Sequence, residues 1–235
     1  MKKIIIASTS TLYNGAYLDY LLPELRIHFK EVKELIFIPF ARPGGISYDE
    51  YTAKVSSFFA NLNIQVKGIH EFENPKQAIA NAQALFTGGG NTFVLVDMLY
   101  KYDLFESIAE SVSKGVPYLG TSAGSNICGL TMGTTNDMPI VCPPSFKTLG
   151  LVSFNINPHY LDPVEGSTHM GETRETRINE FHCYNPQAVL GLREGSWLEV
   201  IGDTITLKGN LTARLFQQGK EPIELESGTD LSNLK

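Results

Sequence analysis

The chain has little cysteine and no long apolar run, and each deficit argues against a class of protein. Its three cysteines, at positions 128, 142 and 183, are odd in number and show no C-x-x-C spacing. Neither a disulfide framework nor a cysteine-based zinc site is therefore indicated. The apolar stretch near the start covers only residues 4–7, which is too short for a secretion signal or a membrane span. We expect a cytoplasmic protein without a membrane segment.

Basic residues are also few, and they are dispersed. Lysine and arginine number 19 against 25 acidic residues, for a net charge of −6, and no basic block offers the positive face that phosphate binding requires. An H-x-x-x-H pair is missing as well. We expect no nucleic-acid partner and no metal or other cofactor. Because 43% of the 235 residues are hydrophobic, we expect a single domain over residues 1–235.

Apolar runs alternate with helical patterns through the first half of the chain. The predicted strands cover residues 4–7, 35–39, 64–69, 84–87 and 116–119. A capping box from Ser47 to Glu50 opens one intervening helix, Asp103 with Glu106 is predicted to cap another, and Pro23 should break the first. The alternation predicts an α/β fold: a doubly wound, mainly parallel sheet with helices on both faces. Ligands bind such sheets beyond the carboxyl ends of the strands.

The pattern changes after Asn155. Short apolar segments follow one another between turn dipeptides such as Gly202-Asp203. They cover residues 188–192, 197–201, 204–208, 213–217 and 223–225. We predict that this C-terminal third forms an antiparallel extension of the sheet.

One stretch has the features of a nucleophile turn. The apolar run 116–119 leads into Gly120-Thr121-Ser122-Ala123-Gly124, the G-x-S-x-G spacing of a strand that turns abruptly into a helix. The turn would present the Ser122 hydroxyl at the sheet edge, beside backbone N–H groups at the helix start. A Gly-rich turn without catalysis is the simpler alternative.

A second glycine loop follows the preceding strand. Residues 88–91 read Gly-Gly-Gly-Asn, and parallel strands bring this loop to the same sheet edge as Ser122. The N–H groups of Gly90 and Ala123 would then form an oxyanion hole. Taken by itself, the triple glycine is equally typical of a flexible turn.

A serine nucleophile needs a base, and that base needs a group to orient it. Of the five histidines, His159 is the best candidate because it follows a predicted strand and a proline, which would hold its ring at a sheet edge. The others are predicted to be exposed or simply packed, and they are His28, His70, His169 and His182. Two loop carboxylates, Asp137 and Glu194, compete to orient His159. Chain order does not choose between them, because triads occur in unrelated orders.

The segment 171–178 is charged at most positions and contains Arg174. Its composition alone is that of a solvated helix with local Glu–Arg pairs.

Taken together, these pieces resemble the peptidase E family of serine peptidases, the aspartyl dipeptidases, over nearly the whole length of the chain. The resemblance depends on short segments that occur in the same order as in the family. They lie at residues 38–40, 49–51, 88–93, 122–124, 135–141, 155–159, 171–175 and 194–197.

The resemblance implies a fold like that of class I glutamine amidotransferases, of flavodoxin type, and cleavage of dipeptides that begin with aspartate (Asp-X). It implies Ser122 as nucleophile and His159 as base. Glu194 is favoured as the direct partner of His159, with Asp137 nearby holding the substrate ammonium. Arg174 matches the arginine that binds the substrate aspartate. We also expect Asn91 and Asn136 to bind the substrate.

Two other functions are considered. One is a hydrolase of β-aspartyl linkages, as in cyanophycinase, and the other is a non-catalytic binding protein on the same scaffold. The chain also departs from the family pattern: Thr121 replaces a frequent aromatic residue, Ser125 replaces alanine, and Arg193 and Ser196 flank Glu194. We expect small peptides as partners and a monomer or homodimer.

Overall fold

The computed structural model describes residues 1–163, 166, 168 and 170–235. Its strands are β1 (Lys3–Ala7), β2 (Glu34–Ile38), β3 (Gln65–Gly68), β4 (Leu85–Thr87), β5 (Tyr118–Thr121), β6 (Asn155–Pro158), β7 (Val189–Leu192), β8 (Ser196–Ile201), β9 (Thr204–Gly209), β10 (Ala213–Phe216) and β11 (Ile223–Leu225). Its α-helices are α1 (Leu22–His28), α2 (Tyr48–Phe59), α3 (Pro75–Ala80), α4 (Thr92–Lys101), α5 (Phe105–Ser113), α6 (Ala123–Asn126) and α7 (Arg174–His182). None of the described helices is long and apolar enough to cross a membrane.

The larger sheet has the order β3-β2-β4-β5-β1-β8-β9, with its first five strands parallel. Successive side chains of a strand point to opposite faces, so Ile4 and Ile6 pack on the side of α3 to α6 while Ile5 and Ala7 pack on the side of α1 and α2. The predicted doubly wound sheet with helices on both faces is confirmed.

The C-terminal strands are divided between two sheets, which corrects the predicted single extension. Strands β8 and β9 extend the larger sheet in antiparallel fashion. A second sheet has the order β11-β10-β7-β6, and its β6–β7 pair is parallel. Alternation of apolar residues indicates a strand but not its partner, so the sequence pattern did not separate these sheets. Residues of both contribute to one apolar cluster, from which we infer a single domain.

Local sequence signals correctly predict the start of α2 and the break at the start of α1. Ser47 Oγ accepts the Glu50 N–H at 3.1 Å and the Glu50 carboxylate accepts the Ser47 N–H at 2.7 Å, so α2 opens with the predicted capping box. Pro23 stands in the first turn of α1, directly after a short 3-10 turn, where the predicted break falls.

The sequence pattern did not predict α4, and the predicted cap on α5 is wrong. Leu104 occupies the N-cap of α5 without a side-chain hydrogen bond. Asp103 instead has φ 51°, and the Leu104 N–H reaches back to the Leu99 carbonyl at 2.9 Å. This is the left-handed closure that ends a helix, so Asp103 belongs to the end of α4.

Candidate active site

Ser122 sits on a strained corner between β5 and α6. Its backbone has φ 55° and ψ −113°, a conformation that non-glycine residues adopt only when their surroundings enforce it. The turn is too tight for side chains at its flanking glycines, since a Cβ at Gly120 would lie 2.4 Å from the Gly124 carbonyl oxygen. A Cβ at Gly124 would lie 2.1 Å from the carbonyl oxygen of Thr87 on β4. Both glycines are therefore required for the corner to form.

The glycine loop after β4 touches this corner. A Cβ at Gly89 would come within 2.8 Å of Ser122 Cβ, so only glycine allows the loop to approach the hydroxyl. Gly90 has φ 146°, a backbone conformation that favours glycine. Among the described residues, neither the Gly90 N–H nor the Ala123 N–H has a hydrogen-bond acceptor. Both predicted oxyanion donors thus keep an uncommitted N–H beside Ser122.

His159 follows β6 and faces Ser122. Its Nε2 lies 2.9 Å from Ser122 Oγ, and its Nδ1 lies 2.6 Å from Glu194 Oε1. Glu194 is in the link between β7 and β8, so three separate loops converge here. With Nδ1 donating to the carboxylate, Nε2 is left as the acceptor for the serine hydroxyl. The geometry is that of nucleophile, base and orienting acid.

The backbone of His159 is itself held in place by a buried serine that sequence analysis missed. His159 has φ 55°, again in the left-handed region, and its N–H donates to Ser8 Oγ at 2.9 Å. Ser8 is fully buried and donates in turn to the Leu192 carbonyl at 2.7 Å, two residues before Glu194. The hydroxyl of Ser8, directly after β1, therefore links the chain segments that carry His159 and Glu194.

Asp137 forms no hydrogen bond or ion pair with His159. Its Oδ2 accepts hydrogen bonds from the Thr92 N–H at 2.7 Å and the Thr92 hydroxyl at 2.6 Å, at the start of α4. A carboxylate at a helix N-terminus satisfies an otherwise unpaired donor and complements the helix dipole. Of the two competing carboxylates, Glu194 is the one bonded to His159.

The two predicted substrate-binding asparagines are occupied by the protein itself. Asn91 caps α4 by accepting the Val94 N–H at 3.1 Å, and its Nδ2 donates to the Met138 carbonyl at 2.9 Å. Asn136 donates to the Pro158 carbonyl at 2.7 Å, and its Oδ1 accepts from the Asn157 amide at 2.8 Å. Both side chains therefore support the segments that carry Asp137 and His159.

Arg174 is the first residue of α7, where Thr173 Oγ1 accepts the Thr176 N–H at 3.0 Å as the cap. Its side chain is half-buried, and no carboxylate among the described residues forms an ion pair with it. Burial lowers the pKa of the Arg174 guanidinium, neighbouring Arg177 lowers it further, and Asp137 opposes both effects. An arginine remains charged in spite of this, so Arg174 offers an unpaired cation close to Asp137.

A dense ionic network lies behind Glu194, and sequence analysis missed it too. Arg193 forms a bidentate pair with Asp162 at 2.9 and 2.8 Å and a second with Glu224 at 2.8 and 3.0 Å. Arg214 joins Glu224 to Glu175, the neighbour of Arg174. The hydrogen bonds from Arg193 are the main reason why the pKa of Glu224 falls to about 2. The network connects the loop of Glu194 with the first turn of α7.

The remaining histidines have other partners. His28 contacts the Tyr118 carbonyl, His70 contacts Asp49, and His182 contacts the Gln187 carbonyl; His169 lies outside the described residues. Within the described residues, no three His, Cys, Asp or Glu side chains are grouped so that they could hold a metal ion. An α/β sheet with a strained serine, a paired imidazole and free amides at its carboxyl edge defines a serine hydrolase.

Comparison with known proteins narrows this class. A model of peptidase family S51 matches residues 4–208. The chain is 48% identical over 231 residues to Peptidase E of Streptomyces coelicolor, covering 98% of this chain and 94% of that protein. It is 43% identical over 236 residues to a Drosophila melanogaster protein named "Probable alpha-aspartyl dipeptidase", covering 99% and 97%. The chain belongs to peptidase family S51, which confirms the resemblance seen in the sequence.

A solved structure agrees on the fold. The crystal structure of a peptidase from an acI-B1 Actinobacterium superimposes with a TM-score of 0.71 at 15% identity, covering 98% of this chain and 96% of that one.

Proposed function

We propose that this chain is a serine dipeptidase that hydrolyses dipeptides with an amino-terminal aspartate through an acyl-enzyme on Ser122. Membership of a peptidase family supports this, as do similar proteins named Peptidase E and alpha-aspartyl dipeptidase. The observation that carries the proposal is the continuous hydrogen-bond chain from Ser122 through His159 to Glu194.

In the proposed reaction, His159 Nε2 takes the hydroxyl proton as Ser122 Oγ attacks the scissile carbonyl. Glu194 keeps the ring in the required tautomer and stabilises the imidazolium. The N–H groups of Gly90 and Ala123 donate to the developing oxyanion. His159 then protonates the leaving amine, and it next activates the water that releases the acyl group.

Selectivity for aspartate is assigned to Arg174. The planar guanidinium binds a carboxylate through two parallel hydrogen bonds, and leaving it unpaired in a half-buried site is costly. Asp137 lies close enough to act on the pKa of Arg174, so the site presents one positive and one negative group. An amino-terminal aspartate carries the complementary pair, a side-chain carboxylate and an ammonium. We assign the ammonium to Asp137.

The test is hydrolysis of Asp-Leu by the wild type and two variants. Ser122→Ala should lower kcat by about three or more powers of ten. Arg174→Ala should reduce kcat/KM for Asp-Leu far more than for a neutral dipeptide. Arg177→Ala is the matched control, because this exposed arginine of the same helix pairs with Glu172. Ordinary activity of Ser122→Ala would refute the mechanism, and equal losses on both substrates would refute the role of Arg174.

Two further assays separate the alternative functions. A β-aspartyl-arginine substrate should be cleaved poorly by a dipeptidase and well by a cyanophycinase-like hydrolase. A serine-directed phosphonate should label Ser122, whereas a non-catalytic binding protein would leave it unlabelled.

We also propose a cytoplasmic location and a monomeric or homodimeric state, without a nucleic-acid partner. All three cysteines are unpaired thiols, and Cys142 and Cys183 are exposed, which is typical of a reducing compartment. The net charge of −6 is unfavourable for binding phosphate backbones. Gel filtration with light scattering would determine the oligomeric state.

A further inference from the structure

A pocket of about 350 Å³, lined in large part by apolar residues, adjoins the proposed triad at Glu194. Glu194, which binds His159 Nδ1, forms part of its wall. The apolar residues that line the pocket are Leu12, Tyr20, Pro23, Trp197 and Leu211. Its volume falls within the range of small-molecule sites. No step of the proposed reaction uses this pocket.

The strand register fixes how far the pocket is from the nucleophile. Ala7 on β1 is paired with Thr121 on β5 and with Trp197 on β8. Neighbouring strands are about 4.8 Å apart, so Trp197 stands two strands, or roughly 10 Å, from the residue that precedes Ser122. Only the second residue of a dipeptide, with about 3.5 Å of backbone, extends beyond the scissile bond at Ser122. Its side chain must cover the rest of the distance to the pocket, so a side chain longer than the methyl group of alanine is needed to reach it.

The direction of the substrate follows from the chemistry. The leaving amine must lie beside His159, because that ring supplies its proton. The residue that carries the amine then extends away from Ser122, past His159, toward Glu194. Arg174, the proposed ligand of the aspartate side chain, does not line this pocket. The first and second residues of a dipeptide would thus occupy opposite sides of the scissile bond.

The lining selects the kind of side chain. Tyr20 and Trp197 pack edge to face with ring centroids 6.2 Å apart. The Tyr20 hydroxyl is already committed to the Thr9 carbonyl at 2.6 Å, so its ring is the part that remains to contact a ligand. Glu24 and Glu194 add negative charge to the lining, which disfavours an acidic side chain in the pocket.

We propose that this pocket binds the side chain of the second residue of the dipeptide and prefers apolar side chains such as leucine or phenylalanine over alanine and over acidic side chains. The inference rests on the proposed function, since it assumes that Asp-X dipeptides are the substrates.

Kinetics with three substrates form the first test. The value of kcat/KM for Asp-Leu should exceed that for Asp-Ala by roughly tenfold or more, and Asp-Glu should be the poorest. Trp197→Ala should bring the Asp-Leu to Asp-Ala ratio toward one. Because Trp197 also packs on the core, Leu211→Ser at a 47% exposed position serves as a milder variant and should lower the ratio several-fold. Ile223→Ser, at a 51% exposed position outside the pocket, is the matched control and should leave the ratio unchanged.

Fluorescence gives a second readout that does not depend on turnover. Trp197 is the only tryptophan of the chain, so the emission of the Ser122→Ala variant reports on the surroundings of this one residue, which lines the pocket. Asp-Leu should change the emission with a saturable dependence on concentration, and Asp-Ala should change it much less.

Each outcome decides the inference. Equal kcat/KM for Asp-Leu and Asp-Ala, together with calorimetric binding of Asp-Leu that leaves the emission unaltered, would overturn the pocket assignment while the dipeptidase function stands. Failure of the wild type to hydrolyse any Asp-X dipeptide would instead refute the proposed function, and the pocket assignment would fall with it.

Discussion

Replacing Ser8 with alanine tests whether a residue outside the proposed triad positions His159, the proposed catalytic base. Ser8 is fully buried and bridges the His159 N–H and the Leu192 carbonyl at 2.9 and 2.7 Å. Ser8→Ala leaves the His159 N–H without this acceptor, whereas the Leu192 carbonyl still accepts the Tyr160 N–H at 3.2 Å. A buried unpaired polar group costs about 1–3 kcal/mol. His159 also sits at φ 55°, a strained backbone state that costs of the order of 1–3 kcal/mol unless its surroundings hold it.

The two effects act on the same histidine. If relaxation of His159 is favoured by about 1.4–2.8 kcal/mol in the variant, the fraction of molecules with a productive Ser122–His159 bond falls by roughly 10- to 100-fold. We expect kcat for Asp-Leu to fall by this factor with little change in KM, because Ser8 lies behind the base rather than in the binding site. Urea unfolding should show a loss of about 1–3 kcal/mol.

A second buried serine provides the control. Ser111 is 4% exposed and donates to the Ile79 carbonyl at 3.1 Å, away from the site. Ser111→Ala should lower stability by about 1 kcal/mol and leave kcat within about twofold. If Ser8→Ala loses stability but keeps its kcat, as expected for Ser111→Ala, the positioning role is refuted.

Two further predictions concern the carboxylates and acid stability. Glu194→Gln should lower kcat for Asp-Leu by about two to four powers of ten, whereas Asp137→Asn should mainly raise KM; equal kcat losses in steady-state assays would contradict this division. His28 is buried, which lowers its pKa from 6.5 to about 4. As the pH falls below about 6.5, the unfolded chain protonates this histidine, whereas the folded chain does so only near pH 4. The free energy of unfolding therefore decreases as the pH falls from about 6.5 to about 4, by about 3 kcal/mol in all. Urea melts of His28→Gln should show a shallower fall with pH, and profiles parallel to the wild type would disprove the assignment.

Sequence patterns predicted the features whose causes are local. The first strand and the capping box at Ser47 and Glu50 depend on residues within one or two turns of each other, and the structure has both. Helix α4 was missed although its N-cap, Asn91, is local; the Asp137 carboxylate that also bonds its first turn lies 45 residues after Thr92. Its first turn follows three glycines, which are equally typical of a loop.

The same distinction explains what could be predicted about the site. The turn around Ser122 and the proline before His159 are local signals, so both residues stood out. Residue patterns alone left both Asp137 and Glu194 open, and only the family resemblance favoured Glu194. The choice depends on β7 lying next to β6, a pairing that the residue patterns did not specify. The roles of Ser8 and Arg193 could not be predicted from the sequence, because they depend on contacts with segments that are distant along the chain.

The proposed catalytic groups are distributed over both sheets, and this has a consequence for how activity is lost on heating. Ser122 follows a strand of the larger sheet, His159 follows a strand of the smaller one, and Glu194 lies on the chain that crosses between them. A slip of only about 1 Å along that seam would stretch the serine–imidazole bond beyond hydrogen-bonding range. The rate of hydrolysis therefore depends on how the two sheets are positioned relative to each other. On gentle heating, activity should be lost at a temperature at which the strands themselves are still intact.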